Sequence, residues 1–183
     1  MNIVRHVCAA AGCTMIFMLA AGCGKSPAPE AAAIENTGAP AELLSVFRPV
    51  IATGPVLPIP ELRNKVSPGD KVMIEAKVMG TLEPFVESRA LFVVGDEGTL
   101  ITCDLEEGDT CKTPWDACCE PPEELRVGTA TIQVVDANGA VLKHSIREIN
   151  GLKELSRVRI EGVVAPQSSA EALIINATGI QLL

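Results

Sequence analysis

Lys71-Val72-Met73-Ile74-Glu75-Ala76-Lys77-Val78 alternates without a break. Val72, Ile74, Ala76 and Val78 fall on one side; Lys71, Met73, Glu75 and Lys77 fall on the other. Period two sustained this long specifies a strand with one buried face. The same V-x-I-E-small-x-V spacing returns in Val158-Arg159-Ile160-Glu161-Gly162-Val163-Val164, which predicts a second such strand over 156–164. Between these two, residues 89–94 and 99–105 read as strands flanking Gly95-Asp96-Glu97-Gly98, a hairpin signal. Residues 129–135 and 140–146 read as another hairpin around Asp136-Ala137-Asn138-Gly139, where Asn-Gly supplies the positive φ values of a tight turn. A helical turn is expected over 151–155, and 173–182 closes the chain as a last strand. Short strands joined by Gly-rich turns predict a mostly β domain, a barrel or a sandwich.

The paired V-x-I-E-small-x-V stretches, with Gly151-Leu152-Lys153-Glu154-Leu155 just before the second, resemble a small antiparallel OB-fold-like barrel. The resemblance spans residues 70–183. It implies that the strand at 71–78 neighbours the strand at 156–164, and that a short helix precedes the latter. Residues 105–127 depart from the family pattern as a long Cys-rich insertion carrying a helical turn. OB-folds host many functions, so the fold alone assigns none.

Ahead of the domain, Arg5 and the amino terminus make a short positive region. An apolar run over 7–19 follows, then Leu19-Ala20-Ala21-Gly22-Cys23. This order matches a secretory signal. The cysteine directly after Ala-Ala-Gly resembles the lipobox of bacterial lipoproteins, although Ala20 stands where that family usually has Leu. The resemblance implies a signal peptide over 1–22, cleavage before Cys23, and lipid on the Cys23 sulfur as the only covalent group. Gly24 at the next position points by the same resemblance to the periplasmic side of an outer membrane in a two-membrane cell. Cleavage without lipid and an uncleaved anchor are the competing readings; the apolar run is at the short end of the about 17–25 residues a span needs. Ala10-Ala11-Gly12-Cys13 repeats the small-residue pattern but has almost no apolar stretch before it. Residues 23–41, rich in Ala, Pro and Gly, read as a flexible tether. Residues 42–69 read as a lead-in: one short helix within 42–51, then a chain held extended by Pro55, Pro58 and Pro60, lying along the domain rather than in its core.

The composition excludes several activities. Lys and Arg number 15 against 23 Asp and Glu, aromatics make up 3% and Tyr is absent. Nucleic-acid binders need a basic footprint and aromatic faces for stacking, so no nucleic-acid partner is expected. Gly24-Lys25-Ser26 lacks the glycine that a phosphate loop needs five residues earlier. Residues 104–109 lack the ligand order of a calcium-binding EF-hand loop. His144 is the only histidine outside the signal segment, and Ser145 would face away from it on a strand. No haem-attachment, HExxH or GxSxG pattern occurs, and the chain is read as non-catalytic.

The most distinctive stretch runs from Cys103 through Cys111 and Trp115 to Cys118-Cys119-Glu120-Pro121-Pro122. Thr113 suits a helix N-cap, Pro114 the first helical position, and Asp116 the capping-box acid, with Pro121-Pro122 ending the turn. A helical turn over 114–119 would put Trp115, Cys118 and Cys119 on one face. An even number of cysteines in an exported domain favours disulfides, with Cys118 and Cys119 each taking one of Cys103 and Cys111. Two other readings stay open. One is a thiolate metal site, of four Cys or of three with His144, for which copper(I) suits soft ligands better than zinc suits the C-x7-C-x6-C-C spacing. The other is thiol redox chemistry, blunted by the surrounding acids. The leading expectation is a membrane-anchored envelope lipoprotein that works as a binding or interaction module with an envelope protein partner. The alternative is a metal-handling or thiol-redox protein built on the four cysteines.

Overall fold

The computed structural model describes residues 38–51, 54–106, 108 and 110–183. The signal segment 1–22, Cys23 and most of the tether lie outside the described residues. The elements run α1 (Ala41–Ser45), α2 (Ile59–Lys65), β1 (Lys71–Lys77), β2 (Leu91–Gly95), α3 (Pro122–Gly128), β3 (Thr129–Gln133), β4 (Arg157–Val164) and β5 (Ile174–Leu182). Two 3₁₀ turns, at Cys103–Leu105 and Ile149–Gly151, complete the set. No helix among the described residues is long and apolar enough to cross a membrane.

The five strands close a barrel in the order β1-β2-β3-β5-β4. The two strands with the shared spacing are direct antiparallel neighbours: Lys71 faces Val163, Ile74 faces Ile160 and Lys77 faces Arg157. Their alternation is reproduced as burial, with Val72, Ile74, Ala76, Val158 and Ile160 buried and Lys71, Arg157, Arg159 and Glu161 at or near the surface. β3 is antiparallel to β2 and parallel to β5. β4 and β5 pair with a register shift between Glu161 and Gly162. A Cβ on Gly162 would stand 2.5 Å from Ile175 Cγ2 and 2.6 Å from the Asn176 carbonyl oxygen, so the crowding at this irregularity leaves room only for glycine.

Four sequence expectations are corrected. Residues 99–105 form no strand: the Thr99 and Leu100 amides turn back to the Asp96 carbonyl at 3.1 and 2.9 Å, and the chain leaves the sheet. The turn at Asp136 forms, with the Asp136 amide on the Ala140 carbonyl, but its second arm pairs only at Val135–Val141. β3 already has β2 on one side and β5 on the other, so 140–146 finds no edge to extend. The expected helical turn at 151–155 is a 3₁₀ turn two residues earlier, at Ile149–Gly151. The lead-in also belongs to the core, because Leu43, Ile51, Ile59 and Leu62 are fully or nearly buried. Pro58 and Pro60 start α2 rather than extending the chain, Pro60 taking an early helical position where its missing N–H costs nothing. The Asp96 carboxylate, itself buried, accepts from the Ile59 amide at 3.1 Å and from Gly98 N and Thr99 Oγ1 at 3.0 Å, tying α2 to the end of β2.

Candidate functional site

The excursion between β2 and β3 carries the four cysteines. The predicted helix over 114–119 does not form, and the reason lies in its carbonyls. Pro114, Trp115 and Asp116 give theirs to Asp104 N, Gly80 N and Cys103 N at 3.0, 3.1 and 2.8 Å. The Ala117 amide is taken by the Asp116 carboxylate at 2.8 Å. With these groups committed to other segments, the i→i−4 ladder cannot start. Two separate turns result, with Asp116 N on Thr113 O and Glu120 N on Ala117 O. Pro121 and Pro122, expected to end a helix, instead begin α3. Gly80 adopts φ +91°, and a Cβ there would stand 2.9 Å from Thr129; glycine lets β1 turn under the excursion. Met79, Leu100 and Ala117, with Leu125 against them, form a small second core beneath it.

This framework gathers three of the four cysteines. The Cys118 sulfur stands 3.6 Å from Cys103 Sγ and 3.6 Å from Cys111 Sγ. All three sulfurs lie within 4.8 Å of one another. A disulfide needs about 2.05 Å, and none of these sulfur pairs stands at bonding distance. Cys118 approaches both Cys103 and Cys111, while Cys119 is not one of the three. Cys103 is buried; Cys111 and Cys118 are exposed. Burial pushes the Cys103 thiol above its ordinary range, and its side-chain hydrogen bond with Cys118 adds to the shift. His144 is not part of the cluster; its Nδ1 lies 2.7 Å from the Ser145 carbonyl oxygen.

No family model, curated protein or solved structure matches this chain.

Two features here were not legible in the sequence. Lys77, read as outward-facing, is buried and donates to the Thr102 hydroxyl at 3.2 Å, next to Cys103. The second is a groove of about 570 Å³. Leu82 and Phe85, from the β1–β2 connection, form one side of it. Trp115 forms another, its indole N–H donating to the Leu82 carbonyl at 3.0 Å. Trp115 thus serves the groove rather than sharing a helical face with Cys118 and Cys119. Arg147 and Glu154 also line it, paired at 2.9 Å, and Glu83 and Glu87 add carboxylates. Ser88 in the lining, Glu148 after Arg147 and Leu155 after Glu154 all have positive φ, 57°, 70° and 64°. Such conformations are costly for non-glycine residues and concentrate at functional sites. Leu155 is held there by its amide on the Val78 carbonyl at 2.9 Å.

Proposed function

We propose that the chain is a lipid-anchored, extracytoplasmic, non-catalytic binding module on an OB-fold-like barrel. Its groove takes a basic peptide segment with an apolar anchor side chain, presented by an envelope protein. The observation that carries the reading is the groove, apolar along Leu82, Phe85 and Trp115 and acidic in net charge. Arg147 is engaged by Glu154, so Glu83 and Glu87 set the sign. Leu82 is 60% exposed and Val86, on the same connection, 42%; apolar groups displayed beside carboxylates suit a partner with an apolar side chain between cations. The net charge of −8 favours the same partner.

The barrel order, the β1–β4 pairing and the parallel β3–β5 contact support the OB-like label. Proteins of that fold use the face of the second and third strands and the β1–β2 loop for binding, and here that loop builds the groove. The non-catalytic reading is supported by Ser145. Its hydroxyl accepts from the Arg147 amide at 3.3 Å, while the neighbouring imidazole lies against a carbonyl. The anchor rests on the lipobox-like residues ending at Cys23.

Trp115 is the chain's only tryptophan, so its emission reports on the groove. A synthetic Lys/Arg-rich peptide containing one Phe, titrated into the detergent-solubilised mature protein, is expected to shift that emission saturably. A Glu-rich counterpart should not. Glu87→Lys should weaken binding about tenfold, about 1.4 kcal/mol. Saturable binding of a neutral oligosaccharide with no response to the basic peptide overturns the reading. For the anchor, Cys23→Ser should abolish incorporation of labelled fatty acid and release the chain from membranes; a wild-type chain that takes up no label refutes lipidation.

A further inference from the structure

We propose that Cys103, Cys111 and Cys118 form a three-thiolate site for one copper(I) ion. The inference is independent of the groove. A soft ion held by sulfur at about 2.3 Å in a trigonal plane sets its three sulfurs about 4.0 Å apart. The cluster already has two separations of 3.6 Å and none above 4.8 Å. An ion at its centre needs only small outward movement of sulfurs that are now in contact.

The surroundings add to the case. Cys103 is fixed from behind: its amide is held by Asp116, and the residue is only 4% exposed. Cys111 and Cys118 stand on the solvent side, so the site has one rigid, buried ligand and two accessible ones, with an entry path for metal. Behind the site, buried Lys77 donates to the hydroxyl of Thr102, the residue before Cys103. Three thiolates on a monovalent ion carry net charge −2. Binding forms three S–Cu bonds and releases three thiol protons; copper stays copper(I), and no electron is transferred.

The number of donors selects the ion. Zinc in structural sites takes four protein ligands. Here Cys119 lies outside the cluster and His144 is turned to a carbonyl. Three soft donors with no fourth among the described residues suit copper(I). The same geometry makes copper and oxidation exclusive. Cys118 is equally near Cys103 and Cys111 and can bond only one of them, and either disulfide would remove two of the three ligands.

The experiment starts with the mature protein released from the envelope in non-ionic detergent, without reductant or chelator. Native mass spectrometry should find a chain of full reduced mass carrying one copper. Copper X-ray absorption should find three sulfur scatterers. After removal of the metal under argon, copper(I) is titrated in competition with bathocuproine disulfonate. Cys111→Ser and Cys118→Ser, both at exposed positions, should weaken binding at least about a hundredfold, and Cys119→Ser no more than about threefold. Unchanged Trp115 emission checks that the variants are folded. A chain two hydrogens light and free of copper overturns the proposal. So does stoichiometric zinc that copper(I) does not displace, or a Cys119→Ser defect as large as that of Cys118→Ser.

Discussion

The β1–β4 pair and the stretch from Cys103 to Pro122 use their backbone hydrogen bonds in opposite ways. In β1 and β4, seven consecutive residues face seven consecutive residues of one partner. A ladder of that kind imposes its own period on the side chains, which is why alternation is visible in the sequence. Between Cys103 and Pro122, three successive carbonyls serve Asp104, Gly80 and Cys103 in turn. No period results, and local rules that would place a helix at Pro114 meet partners they cannot foresee. The first region is specified by pattern and held by the main core. The second is held by single bonds to separate segments and a small core of its own.

This contrast should appear as a difference in energetic weight. Ile160 is fully buried and lies opposite both Ile74 and Ile180. Ile160→Ala should cost about 2–5 kcal/mol, the usual penalty for removing a buried aliphatic side chain and leaving a cavity. Urea unfolding with an unchanged slope would measure it. Cys111→Ser in reduced, metal-free protein should change stability by less than about 0.5 kcal/mol, as expected at an exposed position. Equal losses for the two substitutions would break the comparison and make the thiol cluster a structural element of the apoprotein.

What the sequence made legible follows the same division. The strands at 71–77, 91–95, 129–133, 157–164 and 174–182 lie where alternation and turn residues put them. The expected arm at 140–146 failed because strand propensity does not say whether a sheet edge is open. Pro121-Pro122 reads as a helix stop and Pro58-x-Pro60 as an extended stretch, yet both begin helices; the restricted φ of proline serves either role, and the residues that follow decide. The cysteines stand out in the sequence as the distinctive feature, but which of them gather is decided by backbone bonds from Pro114, Trp115 and Asp116 to other segments, which no spacing reveals. The groove went unseen because its walls are residues 82–88, 113–115 and 145–154, which have no relation in sequence.

Asp96 tests where the two regions meet. In the sequence it is an ordinary turn residue after Gly95. In the fold it is a buried carboxylate that accepts from the Ile59 amide, Gly98 N and Thr99 Oγ1, while its backbone carbonyl receives Thr99 and Leu100. It therefore closes the end of β2, launches the excursion and fastens the first turn of α2. Asp96→Ala keeps the backbone bonds and removes the three to the side chain. It leaves the buried Ile59 amide without its acceptor, at a cost of about 1–3 kcal/mol. The loss should fall below that of Ile160→Ala and be localised. Amide exchange at Ile59 and Leu62 should accelerate more than at Ile74 or Ile160, because α2 would loosen before the barrel opens. Uniform acceleration would show that α2 and the barrel unfold as one unit, and that the lead-in is as integral to the fold as the strands.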